Sequence, residues 1–352
     1  MTTSGGQRIA VVVFNLGGPD SAATVRPFLF NLFNDKAIIG LPNPFRALLA
    51  WLISSRREKP ARANYALMGT EWNGGSPLLP QTQKQTAALE SVLSDRLPGD
   101  TVRVFTAMRY WHPMTAETVT RVTAWKPDQL VLLPLYPQFS TTTTESSLKA
   151  WNETYKGSGV TRTVCCYPQA PGWIETQAAA IRARLDEAGN RPMRVLFSAH
   201  GIPESLVTKK GDPYQEQVEA GCAAVAERAG LKDWGICYQS RVGPMTWLGP
   251  STPDAICEAA VDGVGVVIAP IAFVSEHIET LVELDIEYAE LAEQVGVRPY
   301  LRVPTPGVAV PFIDTLAAAT LEALDRTGTA PFGPGCQGCW AACPCQAERG
   351  PA

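Results

Sequence analysis

The chain holds three histidines, and the surroundings of each restrict what it does. His200 lies in Phe197-Ser198-Ala199-His200-Gly201-Ile202-Pro203, behind an apolar run of strand character, and the Gly and Pro that follow force a turn there. On the local pattern this is either an imidazole presented at a strand end for chemistry or a packed, inert one. His277 opens the stretch Ser275-Glu276-His277-Ile278-Glu279-Thr280-Leu281-Val282-Glu283-Leu284-Asp285-Ile286-Glu287-Tyr288, which starts where a strongly apolar strand stops and then reads as a helix. Glu276, Glu279, Glu283 and Glu287 are spaced three, four and four apart, which stacks them on one helical face.

Such an acidic row is ordinarily a solvated surface. Here it begins at the carboxyl end of an interior strand, so its first members point into a cleft rather than at bulk water. Crowded carboxylates out of water have raised pKa values and pass protons between them, which suits a site that removes protons or receives a dication. A His opposite a Glu is a transient site for Fe²⁺, which accepts imidazole and carboxylate ligands and leaves two ligands more readily than a full cage. The third histidine, in Arg109-Tyr110-Trp111-His112-Pro113, fits an orienting or loop-capping role, and Arg109 beside it fits a bidentate pair with a substrate carboxylate.

These residues need a scaffold, and its strands are legible. Short β-branched runs recur at Ile9 to Phe14, Val102 to Thr106, Gln129 to Leu135, Arg194 to Ser198, Trp234 to Gln239 and Gly265 to Pro270, with helical stretches between them. That alternation predicts an α/β fold with parallel sheets covered on both faces. The runs form two sets of three, predicting two similar Rossmann-like lobes, an N-terminal one over 7–166 and a C-terminal one over 167–330, with a Cys-rich tail over 331–352. Ligands of open α/β sheets bind at the carboxyl ends of strands, which predicts an active-site cleft between the lobes.

A net charge of -4 and the lack of a basic stripe argue against nucleic acid as a partner. No run approaches the length of a spanning helix, and Gly17-Gly18-Pro19-Asp20 ends the first apolar segment without a cleavage pattern, so a cytoplasmic protein is expected. Within 38–62, Phe45, Leu48, Leu49, Trp51, Leu52 and Ile53 precede Arg56, Arg57, Lys59 and Arg62. This is either a helix packed on its own domain or one that dips into an anionic membrane surface, a peripheral contact. Four of the nine cysteines crowd into the tail as Cys336, Cys339, Cys343 and Cys345. Four thiolates suit structural Zn²⁺ or an iron–sulfur cluster, either of which orders a segment that cannot fold by burial; the competing reading is a set of free thiols.

Over nearly its whole length the sequence resembles a ferrochelatase. The resemblance rests on Asn15 to Pro19, Gly74-Gly75-Ser76-Pro77-Leu78, Met108 to Pro113, Pro134 to Ser140, Ser198 to Pro203 with Gly211-Asp212-Pro213-Tyr214, Gln239 to Pro250, and Pro270 to Leu281. Each motif is weak alone, and their order together is specific. The resemblance implies the two-lobed chelatase fold and a lyase that inserts Fe²⁺ into protoporphyrin IX, giving protohaem and two protons. It places the family's catalytic histidine on His200 and its cleft glutamate on Glu279, which together would meet iron, with Glu283 and Glu287 continuing as an acidic path for metal or protons; Glu276, first of the row, is expected as a further catalytic acid beside Glu283. Leu16, Arg109, Tyr110, Tyr136, Ser140, Ser240, Arg241 and Trp247 would line the macrocycle or its propionates, and Leu16 is an apolar choice compatible with protoporphyrin. Some members carry a [2Fe–2S] cluster on three tail cysteines and one internal ligand, so Cys165 or Cys166 is an alternative to Cys339. The stretch Met68 to Ser76 is longer than the family's usual Gly-rich turn. Two other readings are a tetrapyrrole carrier without turnover and a chelatase for another metal or tetrapyrrole. A nucleotide-binding redox module fails, because Gly17-Gly18-Pro19-Asp20 is not the dinucleotide fingerprint and Pro19 removes an N–H that a phosphate would want.

Overall fold

The computed structural model describes residues 6–241, 245–334 and 340–345. In chain order its strands are β1 (Arg8–Asn15), β2 (Thr101–Met108), β3 (Gln129–Pro134), β4 (Val160–Val164), β5 (Met193–His200), β6 (Trp234–Gln239), β7 (Gly265–Pro270), β8 (Tyr300–Arg302) and β9 (Gly328–Ala330). The helices that bear on the site are α1 (Val25–Phe33), α2 (Phe45–Ala66), α3 (Leu78–Arg96), α4 (Thr115–Trp125), α5 (Thr144–Thr154), α6 (Pro171–Ala188), α7 (Glu204–Lys210), α8 (Tyr214–Ala229), α9 (Thr252–Val261), a π-helix (Glu279–Glu287), α10 (Tyr288–Val295) and α11 (Val310–Leu324).

The chain divides into two compact units, the first comprising 1–136, 140–165 and 316–330, the second 137–139, 166–315 and 331–352. The main change of unit along the chain is at 165–166. A linear division does not provide for the return of 316–330 to the first unit, where β9 pairs in parallel with β4.

The first unit is a parallel sheet in the order β2-β1-β3-β4-β9. β1 is buried from Ile9 to Asn15 because it is central, so a continuous apolar run replaces the two-residue alternation of a half-exposed strand. Ala10, Val12 and Phe14 pack with Val119 and Val122 of α4 and Trp151 of α5, and the Phe14 and Trp151 rings meet edge to face at 5.7 Å. The long Met68–Ser76 stretch holds a short 3-10 turn, Thr70–Trp72, and is tied back to the first loop by Ser76 N–H donating to Pro19 O at 2.7 Å and Ala22 N–H to Asn73 O at 3.1 Å.

The second unit is a parallel sheet in the order β6-β5-β7-β8. Its core joins Leu196, Val266 and Ile268 to Ile256 and Ala259 of α9, and to Leu284, Tyr288 and Ala292 behind the π-helix and α10. In each sheet the chain turns to opposite sides of one central strand, β1 in the first and β5 in the second. The carboxyl ends of those strands are the topological switch points at which open α/β sheets bind ligands. β4, β8 and β9 were not anticipated from the sequence; β8 and β9 are three residues each, too short to carry periodicity.

Candidate active site

In the second unit the register that pairs β5 with β6 sets His200 opposite Gln239, at the carboxyl end of the central strand. Gly201 follows because nothing larger fits: a Cβ there would lie 2.8 Å from Gln239 O and 3.2 Å from Arg241 Cγ. After β7 the chain runs through Ile271 to Ile278 and enters the π-helix at Glu279, which returns it to the same end of the sheet. His200 Nδ1 and Glu279 Oε2 are 2.8 Å apart, a charge-assisted pair across 79 residues of sequence. The imidazole side chain is 42% exposed and the carboxylate 23%, so the pair is open enough to meet a ligand.

Burial alone would raise the Glu279 carboxyl, but the His200 imidazole, with His277 and Ser240, holds it down at about 2. Burial likewise opposes the His200 imidazolium, and the Glu279 charge, the shared hydrogen bond and the Glu283 charge outweigh it, so His200 titrates above its ordinary value. Each charge thus favours the other, and with Nδ1 engaged on Glu279 the His200 Nε2 faces away from the pair. His277 is different: burial pushes its pKa down, and its Nδ1 accepts the Glu279 N–H at 3.1 Å. It is a neutral support, fixed edge to face against Phe273 at 4.5 Å, and its acceptor role requires the tautomer protonated at Nε2.

Glu283 is the next acid inward. It accepts from Ser240 N–H at 2.8 Å, Ser240 Oγ–H, Gln239 Nε2–H at 3.2 Å and Tyr288 O–H at 2.6 Å. Ser240 reaches it with both donors because its backbone sits in the left-handed region at φ 60°. Gln239 is fully buried and cannot rotate freely: its Oε1 accepts Ser198 O–H at 2.8 Å, which turns Nε2 toward Glu283 and toward Glu279 O at 3.1 Å.

The acidic row does not stay together. Glu276 precedes the π-helix, and its carboxylate is bound by Arg302 at 2.9 and 3.1 Å and by Thr305 N–H at 2.9 Å, with both ion-pair partners under 20% exposed. Glu287 is exposed, and its pKa is raised by burial and by the charges of Glu283 and Glu290. Where an α-helix was expected from Glu276 onward, Glu279–Glu287 form a π-helix, a conformation concentrated at functional sites.

Of the other residues expected here, Trp247 lies beside the turn that follows His200. It bridges Pro203 in antiparallel fashion, Leu248 N–H donates to Ile202 O at 3.1 Å, and its indole Nε1 is buried without a partner among the described residues. Arg241 is exposed.

The first unit holds Leu16, Arg109, Tyr110, Tyr136 and Ser140. Leu16 and Arg109 sit at the carboxyl ends of β1 and β2, and Leu16 O accepts Tyr110 N–H at 2.9 Å. Arg109 donates through Nε to Ser146 at 2.8 Å and through a terminal nitrogen to Asp35 at 2.8 Å. Asp35 also accepts Tyr110 O–H and Ser146 O–H, each at 2.7 Å, and Ala37 N–H at 2.9 Å. Although burial opposes it, those four donors keep its carboxyl below the ordinary range. Tyr110 and Ser140 are each 1% exposed, so their side chains serve the wall rather than form its surface. Ser140 organises the start of α5, its carbonyl accepting from Thr143 and Glu145 and its hydroxyl from Thr142 N–H. Tyr136 is partly buried with its hydroxyl enclosed, and burial raises its pKa. His112 pairs with Glu117 at 2.7 Å on the surface, while Glu117 also accepts Met114 N–H to close the start of α4.

Asp35, Gln239, Tyr214 and Tyr288 did not stand out in the sequence. Gln239 and Tyr214 sit inside the quoted motifs, which was the available signal; Asp35 reads as an ordinary loop acid.

Comparison with known proteins places this geometry in a family. A family model described as Ferrochelatase matches residues 8–324. A Ferrochelatase of Phenylobacterium zucineum is 59% identical over 329 residues, covering 93% of this chain and 94% of the relative. One of Caulobacter vibrioides is 58% identical over 345 residues, covering 97% and 98%, and one of Hyphomonas neptunium is 52% identical over 350 residues, covering 97% and 96%. Among solved structures, SirB from Bacillus subtilis with Fe3+ superposes with a TM-score of 0.50 at 11% identity over 90% of this chain and 95% of that one. DR2241 from Deinococcus radiodurans, a multi-domain protein with structural similarity to chelatases, gives 0.51 at 15% identity over 90% of this chain and 56% of that one. These two share the fold, and on the match to its family model and its sequence relatives the chain belongs to the ferrochelatase family.

Proposed function

We propose that the paired His200 and Glu279 carry the exchange of two pyrrole protons for iron. The enzyme is a lyase that inserts ferrous iron into protoporphyrin IX, a step of haem synthesis. The 2.8 Å bond between His200 and Glu279 is the observation that supports the residue assignment. With Nδ1 engaged, His200 presents Nε2 to the macrocycle and in its neutral form accepts a proton there, while Glu279 stabilises the imidazolium that results. Glu283, held by Gln239, Ser240 and Tyr288, continues the acidic path, and Glu287 with its raised pKa ends it at solvent. His200 and Glu279 are also the ligands we assign to incoming Fe²⁺, and two ligands release an ion readily. Glu276 is bound by Arg302, and we assign it to holding the entrance of the π-helix rather than to proton transfer.

For the porphyrin we assign Leu16, Tyr136, Ser240, Arg241 and Trp247 to contact. Arg109 would meet a propionate with the terminal nitrogen that Asp35 leaves over, and Tyr110 and Ser140 support that wall. Porphyrin retention tests this separation of binding from chemistry: His200→Ala should still quench protoporphyrin fluorescence with near-native affinity while inserting no iron, and loss of binding would contradict it.

The exposed face of α2 supports a peripheral membrane contact. Phe45, Leu48, Trp51 and Leu52 are 37–67% exposed, and Arg56, Arg57 and Lys59 follow them. No described helix is long and apolar enough to cross a membrane. We assign the protein to the cytoplasm.

For the tail we propose a [2Fe–2S] cluster. Cys336 and Cys339 lie outside the described residues. Cys343 is 9% exposed and sits in a turn closed by its own N–H to Trp340 O at 2.9 Å, and Cys345 is half-buried beside it. The donor set fits, since four thiols in ten residues match a four-thiolate cluster. Cys166 stands as an alternative ligand because its carbonyl accepts Phe332 N–H at 2.9 Å, just where the chain enters the tail. When bound, the cluster would supply order to a segment without a core of its own.

A further inference from the structure

The described part of the tail packs on a turn that reaches the back of His200. Ala342 N–H donates to Gly211 O at 3.1 Å, and a Cβ on Gly211 would lie 2.9 Å from Ala341 N and 3.0 Å from Ala341 Cβ. Gly211 ends α7 with φ +67°, a left-handed conformation that L side chains rarely adopt, so both its backbone and its missing side chain favour this docking. The next residues form a short rigid link. Asp212 is fully buried, Asp212 N–H donates to Leu206 O at 3.1 Å, and its carboxylate accepts Tyr214 N–H at 3.0 Å. Tyr214 then opens α8, 6% exposed, and its hydroxyl donates to the His200 carbonyl at 3.0 Å.

We propose that Tyr214 is a positioning residue for His200 and that the segment Trp340–Cys345, docked on Gly211, holds it in place. The carbonyl of His200 fixes where the imidazole leaves the strand, and the ring must keep Nδ1 on Glu279 while aiming Nε2 at a substrate. Small errors are costly in such a geometry, since a misplacement of about 1 Å can lower a rate by about 10²-fold. The tail is thereby given a function in this chain whatever its thiols hold: it is a strap whose docking on Gly211 is felt three residues later at a tyrosine and, through its hydroxyl, at the proposed base. Every contact along this path, through Gly211, Asp212 and Tyr214, lies within the second unit. The inference rests on the proposed role of His200.

The test is a double-mutant cycle on the full chain. Tyr214→Phe should lower kcat about tenfold with KM within about twofold, because one hydrogen bond to the positioning carbonyl is lost while the porphyrin wall is untouched. Gly211→Ala and, independently, Ala342→Pro should each lower kcat in the same way and shift the ¹⁵N resonances of the His200 ring. Either tail variant combined with Tyr214→Phe should lose little more than Tyr214→Phe alone. Should Gly211→Ala fail to fold, Ala342→Pro decides the question, since it removes a donor on the tail only. Multiplicative losses in the double variants, unmoved His200 resonances in the tail variants, or a Tyr214→Phe enzyme with native kcat would each overturn the proposal. If His200→Ala itself keeps native insertion, the role of His200 is what fails.

Discussion

His200 Nδ1 and Glu279 Oε2 lie 2.8 Å apart, and the bond sets opposite demands on stability and on chemistry. A bonded ion pair favours the protonated imidazole, whereas a base must be neutral to accept a pyrrole proton.

The two demands predict opposite slopes against pH. The Glu279 carboxyl is held at about 2, below its unfolded value of about 4.3, so its contribution to stability is present above the unfolded value and lost as pH falls toward 2. His200 is raised above its unfolded value of about 6.5, so its contribution is full below that and lost as pH rises through the folded pKa. The difference in melting temperature between native enzyme and Glu279→Gln should therefore be largest between about pH 4.3 and 6.5 and shrink above it. The rate of iron insertion should rise across that same upper range. His277, lowered by burial, is partly held up by the Glu279 charge, so Glu279→Gln lowers it further and enlarges the same difference below about pH 6.5.

Asp35 should matter out of proportion to its place in a loop. Asp35→Ala leaves the Tyr110 and Ser146 hydroxyls and the Arg109 guanidinium without their shared acceptor. Arg109 is 23% exposed, which puts the cost at the lower end for a broken buried pair, about 3 kcal/mol. Chemical denaturation measures the loss, and KM for protoporphyrin should rise as Arg109 loses its orientation.

The α2 face should behave as a surface. Replacing Leu48 and Trp51 by Glu should change stability by no more than about 0.5 kcal/mol each, since both are exposed. Sedimentation with vesicles of anionic phospholipid should show the native enzyme in the pellet and the double variant in the supernatant.

Anaerobically purified protein should carry non-haem iron and acid-labile sulfide in equal amounts and give an electron paramagnetic resonance signal on reduction. Cys343→Ser should abolish both. A colourless protein with stoichiometric zinc would replace the cluster by a structural zinc site.

The six strands with β-branched runs were legible because central parallel strands bury both faces. β8 and β9, at three residues, carry no period, and β4 is exposed at its start, so its pattern Val160-Thr161-Arg162-Thr163-Val164 reads as a polar linker. His200 at a strand end followed from local sequence, because the turn after it is adjacent in the chain, as did the start of the acidic row just beyond the apolar run of β7. The fate of Glu276 did not follow. Its partner Arg302 is 26 residues away on an edge strand, and a four-residue spacing does not separate an α-helix from the wider π-helix. Asp35 was invisible for the same reason, with partners 75 and 111 residues distant.

The most direct measurement is anaerobic incubation of the enzyme with Fe²⁺ and protoporphyrin IX, following the Soret shift, with three variants beside it. Haem formation by His200→Ala and Glu279→Gln should fall by roughly 10²–10⁴-fold, the range for losing a general base or its partner. Glu276→Gln should stay within a few-fold of the native rate while losing stability, because its carboxylate serves Arg302. If Glu276→Gln is as inactive as the other two, or if Glu279→Gln forms haem at the native rate, the pairing of His200 with Glu279 is not what moves the protons.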